Sequence, residues 1–247
     1  MTVVVGCSAK GSPGVTTSFV ALALTWPTDV VLVGADPAGD DFRAGILQAS
    51  APAQSGVLEL ALSMRRGGAA LSSHVVALAA GERSVWVLPG VSDPSQSEAM
   101  ASHWGDVLTA VSCCERDVLV DAGRLPAVGL GRELASHADV ILLVLRPTLL
   151  GVDRAKPALS RLREQLGITG SPATIGLLCV GDSPYPPKEV AEALHAPLLG
   201  VLPHDPGSVD GIGGGQVPWR RPLVRAAASV AAKVKNPAYA TAELAVG

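Results

Sequence analysis

The stretch Cys7-Ser8-Ala9-Lys10-Gly11-Ser12-Pro13-Gly14-Val15-Thr16-Thr17 lies between two apolar runs near the start of the chain. An apolar run on each side of a Gly-containing segment predicts a strand, a loop and a helix. The phosphate-loop pattern G-x-x-x-x-G-K-[ST] has its second Gly at Gly14 and its hydroxyl at Thr16. Its first Gly and its Lys fall on Ala9 and Val15. The stretch therefore has the outline of a phosphate-binding loop that lacks the lysine.

In such loops, backbone N–H groups at a helix N-terminus converge on phosphate oxygens. We expect Gly11, Ser12 and Gly14 to form this cradle. Thr16 is placed to ligate Mg²⁺, and Thr17 is placed to reach an inner phosphate. A charge-assisted hydrogen bond is worth about 1.5–3 kcal/mol, so its loss lowers affinity by about one to two powers of ten. The alternative interpretation is a tight strand-to-helix turn that binds nothing.

Seven apolar runs predict strands, at residues 2–7, 29–34, 84–88, 117–121, 139–145, 173–180 and 198–202. Most are continuous runs of Val, Ile and Leu, which is typical of parallel strands buried on both faces. Helical patterns lie between them, at residues 18–26, 148–166, 187–195 and 221–235. The alternation predicts an α/β fold with a doubly wound, mainly parallel sheet and helices on both faces.

We expect a single domain over residues 1–235 and a C-terminal tail over residues 236–247. Pro157 inside a helical pattern predicts a kink or a later start of that helix. The loosest segments are predicted at residues 48–56 and 206–218.

Composition limits the classes of protein to consider. Of the 247 residues, 48% are hydrophobic and 17% charged, which is typical of a globular chain. No apolar run reaches the length of a membrane span, and no basic segment precedes the first strand, so we expect a cytoplasmic protein. The net charge of −3 gives no overall attraction to nucleic acid or anionic lipid. The four cysteines lack metal or disulfide spacing and are predicted to be buried and reduced.

Two carboxylates follow predicted strands. Asp121 lies where a carboxylate holds Mg²⁺ in nucleotide-binding α/β proteins, and Asp36 is placed to orient an attacking water. Carboxylates that end strands without any function are common, but a phosphate loop beside both favours a metal–phosphate site. Arg124 and Arg146 also follow strands, and each is open to two interpretations, a phosphate contact or a solvated surface charge, of which we favour the surface charge.

These motifs together resemble the MinD/ParA family of deviant Walker-A ATPases. The family's K-G-G-x-G-K-T-T is similar to residues 10–17, its D-x-D-P-x-G to residues 34–39, and its P-x-D loop to residues 203–205. The first Asp of D-x-D is Gly34 here, and Asp-Ala-Gly-Arg from Asp121 replaces the more usual Asp-[Thr/Cys]-Pro-Pro.

The resemblance implies a role for each matching residue. Lys10 matches the signature lysine, which acts across a dimer on the partner's phosphates, and Asp36 matches the Asp associated with hydrolysis. Asp121 matches the Walker-B position. Pro203 and Asp205 match the loop on the adenine side of the nucleotide.

The resemblance also implies a function, a spatial-organisation protein that works as a homodimer with a protein partner, recruited to a cell pole or septum. TadZ/CpaE-type pilus proteins and septum-site-like proteins are the most similar subfamilies. ATP and Mg²⁺ are the implied cofactors, with hydrolysis weak or absent because the loop lysine is missing. The alternative is an active partition ATPase that binds DNA through a basic cluster comprising Arg220, Arg221, Arg225, Lys233 and Lys235. A solvated helix face is the interpretation we favour for that cluster.

Overall fold

The structure is a computed structural model that describes residues 1–10, 13–68, 70–80, 83–125, 131–214 and 217–236. Its strands are β1 (Val3–Ser8), β2 (Val30–Gly34), β3 (Val76–Ala80), β4 (Arg83–Leu88), β5 (Asp117–Arg124), β6 (Val140–Leu145), β7 (Thr174–Val180) and β8 (Leu198–Leu202). Its α-helices are α1 (Val15–Thr25), α2 (Val57–Arg65), α3 (Pro94–Met100), α4 (Trp104–Ser112), α5 (Arg132–His137), α6 (Leu149–Thr169), α7 (Pro187–Leu194), α8 (Pro206–Gly213) and α9 (Pro222–Lys235). A short 3-10 helix spans Leu71–Ser73.

These strands form one sheet in the order β3-β4-β2-β5-β1-β6-β7-β8. Neighbouring strands run parallel, except that β3 and β4 are antiparallel. Strand β1 lies at the centre, where Val4 is level with Leu119 on one side and Val140 on the other. The predicted α/β fold with a mainly parallel sheet is confirmed.

Helices cover both faces of the sheet, as predicted. Helices α2 to α7 pack on one face, and α1, α8 and α9 pack on the other. Strand β1 is apolar throughout because both of its faces are covered by helices. Val3, Val5 and Cys7 pack against the first helix layer, and Val4 packs against the second. The carboxyl ends of β1, β2, β5 and β6 therefore meet at one edge, where ligands bind in sheets of this kind.

Several elements differ from the sequence-based expectation, and helices α2 to α5 lie outside the four predicted helical segments. Strand β3 is absent from the predicted strands because its sequence, Val76-Ala77-Leu78-Ala79-Ala80, is rich in alanine, which has a low strand propensity. Segment 206–218 is predicted to be loose, but residues 206–213 form helix α8. Its start is set by Asp205, whose carboxylate accepts the N–H of Ser208.

Helix α6 begins at Leu149 and continues through Pro157 to Thr169, so the later start predicted from the proline is wrong. The hydroxyl of Thr148 caps its first turn by accepting the N–H of Gly151 at 3.1 Å. The predicted tail beyond residue 236 lies outside the described residues.

A buried carboxylate at the start of β5 joins distant parts of the chain. Asp117 is 5% exposed and accepts the N–H of Thr2 at 2.8 Å on Oδ1. Its Oδ2 accepts the indole N–H of Trp26 and the hydroxyl of Thr28, each at 2.8 Å, and the ammonium of Lys235. Burial by itself would raise the pKa of Asp117, but the hydrogen bonds led by Lys235 outweigh it and hold the pKa below its usual range.

The cysteines only partly match the prediction that all are buried. Cys7 and Cys179 are buried, but Cys113 is exposed at the end of α4 and Cys114 is half-buried. Within the described residues, no helix combines the length and the apolar character needed to cross a bilayer.

Candidate functional site

The turn from β1 into α1 depends on Gly14. Its φ of 98° and ψ of 41° lie in the left-handed region, which side-chain-bearing residues rarely adopt. Gly14 is the N-cap of α1, so no side chain caps this helix, and its first turn has no acidic residue. The first N–H groups of α1 are therefore available to an anion at the positive end of the helix dipole. The predicted cradle residues Gly11 and Ser12 lie outside the described residues.

The side chain at the lysine position belongs to the core. Val15 is 6% exposed and packs in the same apolar cluster as Phe19 and Phe42. Val15 also lines a cavity beside the loop, so a longer side chain at this position has room to enter it.

A cavity of about 680 Å³ opens beside Gly14 at the carboxyl edge of the sheet. It brings together four of the predicted site residues, which come from the end of β2 and from the loop and first turn of α1. Its lining includes Gly14, Thr16, Thr17 and Asp36, together with Arg124 at the end of β5. The cavity has the size of a small-molecule site, and its polar groups converge from several elements.

Asp121 lies at the floor of this region, level with Gly6 of β1 and Gly34 of β2. It is fully buried, and its Oδ1 accepts the N–H of Gly123 at 3.0 Å. Its buried Oδ2 has no hydrogen-bond partner among the described residues. Burial raises the pKa of Asp121 to about 6, and the nearby Thr16 hydroxyl opposes that rise.

A buried carboxylate oxygen without a partner, close to a hydroxyl, fits the needs of Mg²⁺. The ion takes oxygen ligands and keeps several of its waters, so one carboxylate and one hydroxyl suffice as protein ligands when phosphates supply the rest. Among the described residues, no group of three His, Cys, Asp or Glu side chains is arranged to hold a metal. Asp121 and Thr16 would therefore hold the ion together with a bound nucleotide.

Asp36 follows β2 and borders the cavity. Its Oδ1 accepts the N–H of Ala38 at 2.8 Å. Burial raises its pKa, which the Ala38 N–H and the nearby Arg124 guanidinium both oppose. The carboxylate is thus held in place beside a cation at the mouth of the site.

Sequence reasoning missed a third carboxylate near the site, Asp40. Its Oδ2 accepts the N–H of Gly90, and its Oδ1 accepts the N–H of Phe42 at 3.2 Å. A β-carbon added at Gly34 would lie 1.8 Å from Asp40 Oδ2. The Asp40 carboxylate therefore occupies the space that a side chain at Gly34 would need. Burial raises the pKa of Asp40 to about 6.

A second cavity, of about 370 Å³, continues from the first on the other side of Gly14. Thr17, Arg146, Pro203 and Asp205 line it, so the structure places the predicted adenine-side residues next to the loop. Only 4% of the Asp205 side chain is exposed, and its hydrogen bonds join the loop to α8 and to the start of α9.

The Asp205 carboxylate accepts protein hydrogen bonds on both oxygens. Oδ1 accepts Arg221 Nε at 2.9 Å, and Oδ2 accepts the Ser208 hydroxyl at 2.7 Å and the Leu223 N–H at 3.4 Å. The Arg221 guanidinium holds the pKa of Asp205 well below its usual range.

Lys10 is separated from the other predicted catalytic residue. It is exposed and lines a third cavity, of about 390 Å³, together with Arg146 and Arg154. Asp36 borders the first cavity instead. Within one chain, the structure does not bring Lys10 and Asp36 into the same cavity.

Most of the predicted basic cluster is used inside the molecule. Arg221 pairs with Asp205, Lys235 pairs with Asp117, and Lys233 donates to the carbonyl of Leu198 at 3.0 Å. This leaves the cluster with fewer charges for an external partner than the sequence indicates.

No protein-family model matches the chain, and a comparison with curated protein sequences finds no match. Solved structures do match over nearly the whole chain. The septum site-determining protein MinD complexed with Mg-ADP from Pyrococcus horikoshii is 19% identical, with a TM-score of 0.74 over 96% of this chain and 97% of that one.

Two further structures match to a similar extent. The MinC:MinD cell division protein complex of Aquifex aeolicus contains a chain that is 18% identical, with a TM-score of 0.70 over 95% of this chain and 96% of that one. A ParA family ATPase from Chlorobium tepidum is 15% identical, with a TM-score of 0.69 over 93% and 98%. At these identities the likeness concerns the fold, and the chain has the fold of the MinD and ParA ATPases.

Proposed function

We propose that this chain is a MinD/ParA-like spatial-organisation protein that binds Mg-nucleotide weakly and hydrolyses it slowly or not at all. One observation carries the proposal. The cavity beside Gly14 has the free helix N-terminus, Thr16 and Asp36, and the buried Asp121 with its unpartnered oxygen lies next to Thr16, while the lysine position holds a core valine. These groups are suited to hold a metal and a phosphate chain, whereas Val15 cannot supply the charge that a loop lysine would bring to the outer phosphates.

The missing lysine affects turnover more than binding. A lysine at position 15 would strengthen ground-state binding of the phosphates by about 1.5–3 kcal/mol. Charge that develops on the phosphate oxygens in the transition state makes the catalytic cost of its absence larger. Such a site is better suited to a conformation that depends on bound nucleotide than to a cycle timed by hydrolysis.

The structural neighbours support the proposed setting. One structural neighbour is complexed with Mg-ADP and another is in a complex of MinC and MinD, which supports a nucleotide ligand and a protein partner here. We propose a cytoplasmic homodimer in which Lys10, exposed and outside its own chain's Asp36 cavity, reaches the partner subunit's phosphates. The assembly that we propose it positions is a pilus or septum assembly of the TadZ/CpaE or septum-site kind.

The alternative is an active partition ATPase, in which Lys10 supplies the missing charge across the dimer and α9 binds DNA. The internal pairing of Arg221 and Lys235 argues against the DNA-binding part.

The first test measures Mg-ATP affinity by calorimetry and steady-state ATP hydrolysis for the wild type, V15K and V15M. V15K restores the cation, so we expect its affinity to rise by about one to two powers of ten. V15M adds length without charge and is expected to bind like the wild type. Micromolar binding by the wild type, with turnover that Lys10→Ala abolishes, would favour the active ATPase and overturn the proposal.

The positioning role has its own test. A fluorescent fusion of the wild-type chain in its native cell is expected to concentrate at a pole or septum. A uniform distribution, with no change in pilus assembly or division when the gene is deleted, would contradict the role whatever the nucleotide measurements give.

A further inference from the structure

Arg124 is the last residue of β5, three positions after Asp121. Its backbone is fixed beside the start of the loop, because Arg124 is level with Ser8 and the next residue, Leu125, donates its N–H to the Ser8 carbonyl at 2.7 Å. The Arg124 side chain is exposed and lines the 680 Å³ cavity that also contains Thr16 and Asp36.

Among the described residues that line this cavity, Arg124 is the one cation. The other cations near the loop, Lys10, Arg146 and Arg154, line the neighbouring cavities. The remaining charged groups at this cavity are acidic, since Asp36 and Asp41 line it and Asp121 lies beneath it. A nucleoside triphosphate would still carry net negative charge after binding Mg²⁺, so a cation on this side would favour its binding.

The Arg124 guanidinium is available for this task. It is near enough to Asp36 to lower the pKa of that carboxyl, yet no hydrogen bond or ion pair joins Arg124 to an acidic group of the described residues. Its planar fork of N–H donors matches the geometry of phosphate oxygens. Arg124 is thus not used by the fold, unlike Arg221, which the Asp205 carboxylate holds.

We propose that Arg124 supplies, from within the same chain, the phosphate-binding charge that position 15 lacks. It acts from the end of β5 on the outer phosphates of a Mg-nucleotide, on the side of the cavity where Thr16 and Asp121 would hold the metal. This inference rests on the proposed function in one respect, which is that the cavity takes a Mg-nucleotide.

The test is a double-mutant cycle read by Mg-ATP affinity. R124Q removes the charge and keeps most of the side chain's length, and we expect it to weaken binding by about ten- to a hundred-fold. Arg65→Gln removes the same charge from the exposed end of α2, outside the cavity lining, and is the matched control. The same R124Q change in the V15K background is expected to weaken binding by less than about tenfold, because the introduced lysine and Arg124 act on the same phosphates.

Thermal unfolding of each variant separates binding from folding, and R124Q is expected to unfold at the wild-type temperature. If R124Q binds Mg-ATP as tightly as Arg65→Gln does, or if its effect is unchanged in the V15K background, the assignment of Arg124 is wrong while the nucleotide site stands. If the wild type binds no Mg-ATP at millimolar concentration and V15K does, the residual nucleotide binding of the proposed function fails, and the role of Arg124 fails with it.

Discussion

At the residue scale, the carboxylate of Asp40 occupies the space beside Gly34 that a side chain at position 34 would need. Gly34 ends β2, and Asp40 folds back over it and is held by the N–H of Gly90. Because Asp40 fills the space beside Gly34, an Asp at position 34, as in the family's D-x-D pattern, would collide with it. The departure from the pattern at position 34 is therefore coupled to a residue six positions later.

The contact between Gly34 and Asp40 illustrates which site residues can be predicted from the sequence. Thr16 and Asp121 are recognisable because spacing along a strand and a loop fixes where they lie. Asp40 is not recognisable in that way, because its place depends on Gly90, fifty residues further on, and no local pattern connects the two.

Asp121 carries a testable pH dependence. Its folded-state pKa of about 6 lies above the value of about 4 for an unfolded chain, so the folded protein binds more protons between those pH values. The stability of the nucleotide-free protein therefore falls as pH rises through that window. We expect D121N, which cannot ionise, to be more stable than the wild type by about 2–3 kcal/mol at pH 8 and by little at pH 4.

Urea unfolding at a series of pH values measures this difference. Asp153→Asn is the control, since that side chain is 75% exposed and should give the same small effect at every pH. A D121N curve parallel to the wild-type curve would show that the Asp121 carboxyl titrates normally. The affinity of the wild type for Mg²⁺ should rise as pH rises through the same window, because the metal binds the ionised carboxylate.

At the element scale, helix α8 and the loop before it depend on one side chain. Asp205 caps α8 through Ser208 and ties the loop to Arg221 and Leu223 at the start of α9. We expect Asp205→Ala to lower the free energy of unfolding by about 2–4 kcal/mol, since it removes both a helix cap and a charged hydrogen-bonding partner.

Ser208→Ala is the matched control, because it removes one hydroxyl and leaves the carboxylate in place, at an expected cost of about 1 kcal/mol. Chemical denaturation of both variants measures the two costs. Equal costs would mean that the Asp205 carboxylate contributes little beyond its bond to Ser208 Oγ.

Two of the elements that sequence analysis misses, β3 and α8, have a common cause. Buried parallel strands are visible as continuous apolar runs. Strand β3 pairs at an edge through alanines, and α8 consists largely of Gly, Pro and Asp supported by a cap from outside the helix. Their stability comes from partners elsewhere in the fold, which local propensity does not record.

At the scale of the whole molecule, the charge available to an external partner is smaller than the sequence suggests. Arg221, Lys233 and Lys235 bond inside the molecule, and the net charge is −3. We expect no retention of nonspecific duplex DNA at physiological salt, because such binding depends on several free cations that displace counterions.

Fluorescence anisotropy with a labelled duplex over a salt series tests this expectation. Exposed Arg220 and Arg225 are the residues to replace if binding is seen at low salt. Tight binding with a steep salt slope that the Arg220→Ala, Arg225→Ala double variant removes would restore the partition ATPase as the better description.

The carboxylate of Asp117 has a consequence for how the chain could be reconnected. It accepts the backbone N–H of Thr2 and the ammonium of Lys235, so the start of β1 and the end of α9 lie together. Domains whose first and last elements lie together tolerate circular permutation when new termini open in an exposed loop. A permuted chain that joins residue 236 to residue 2 and opens at Gly67-Gly68 would keep every strand pairing.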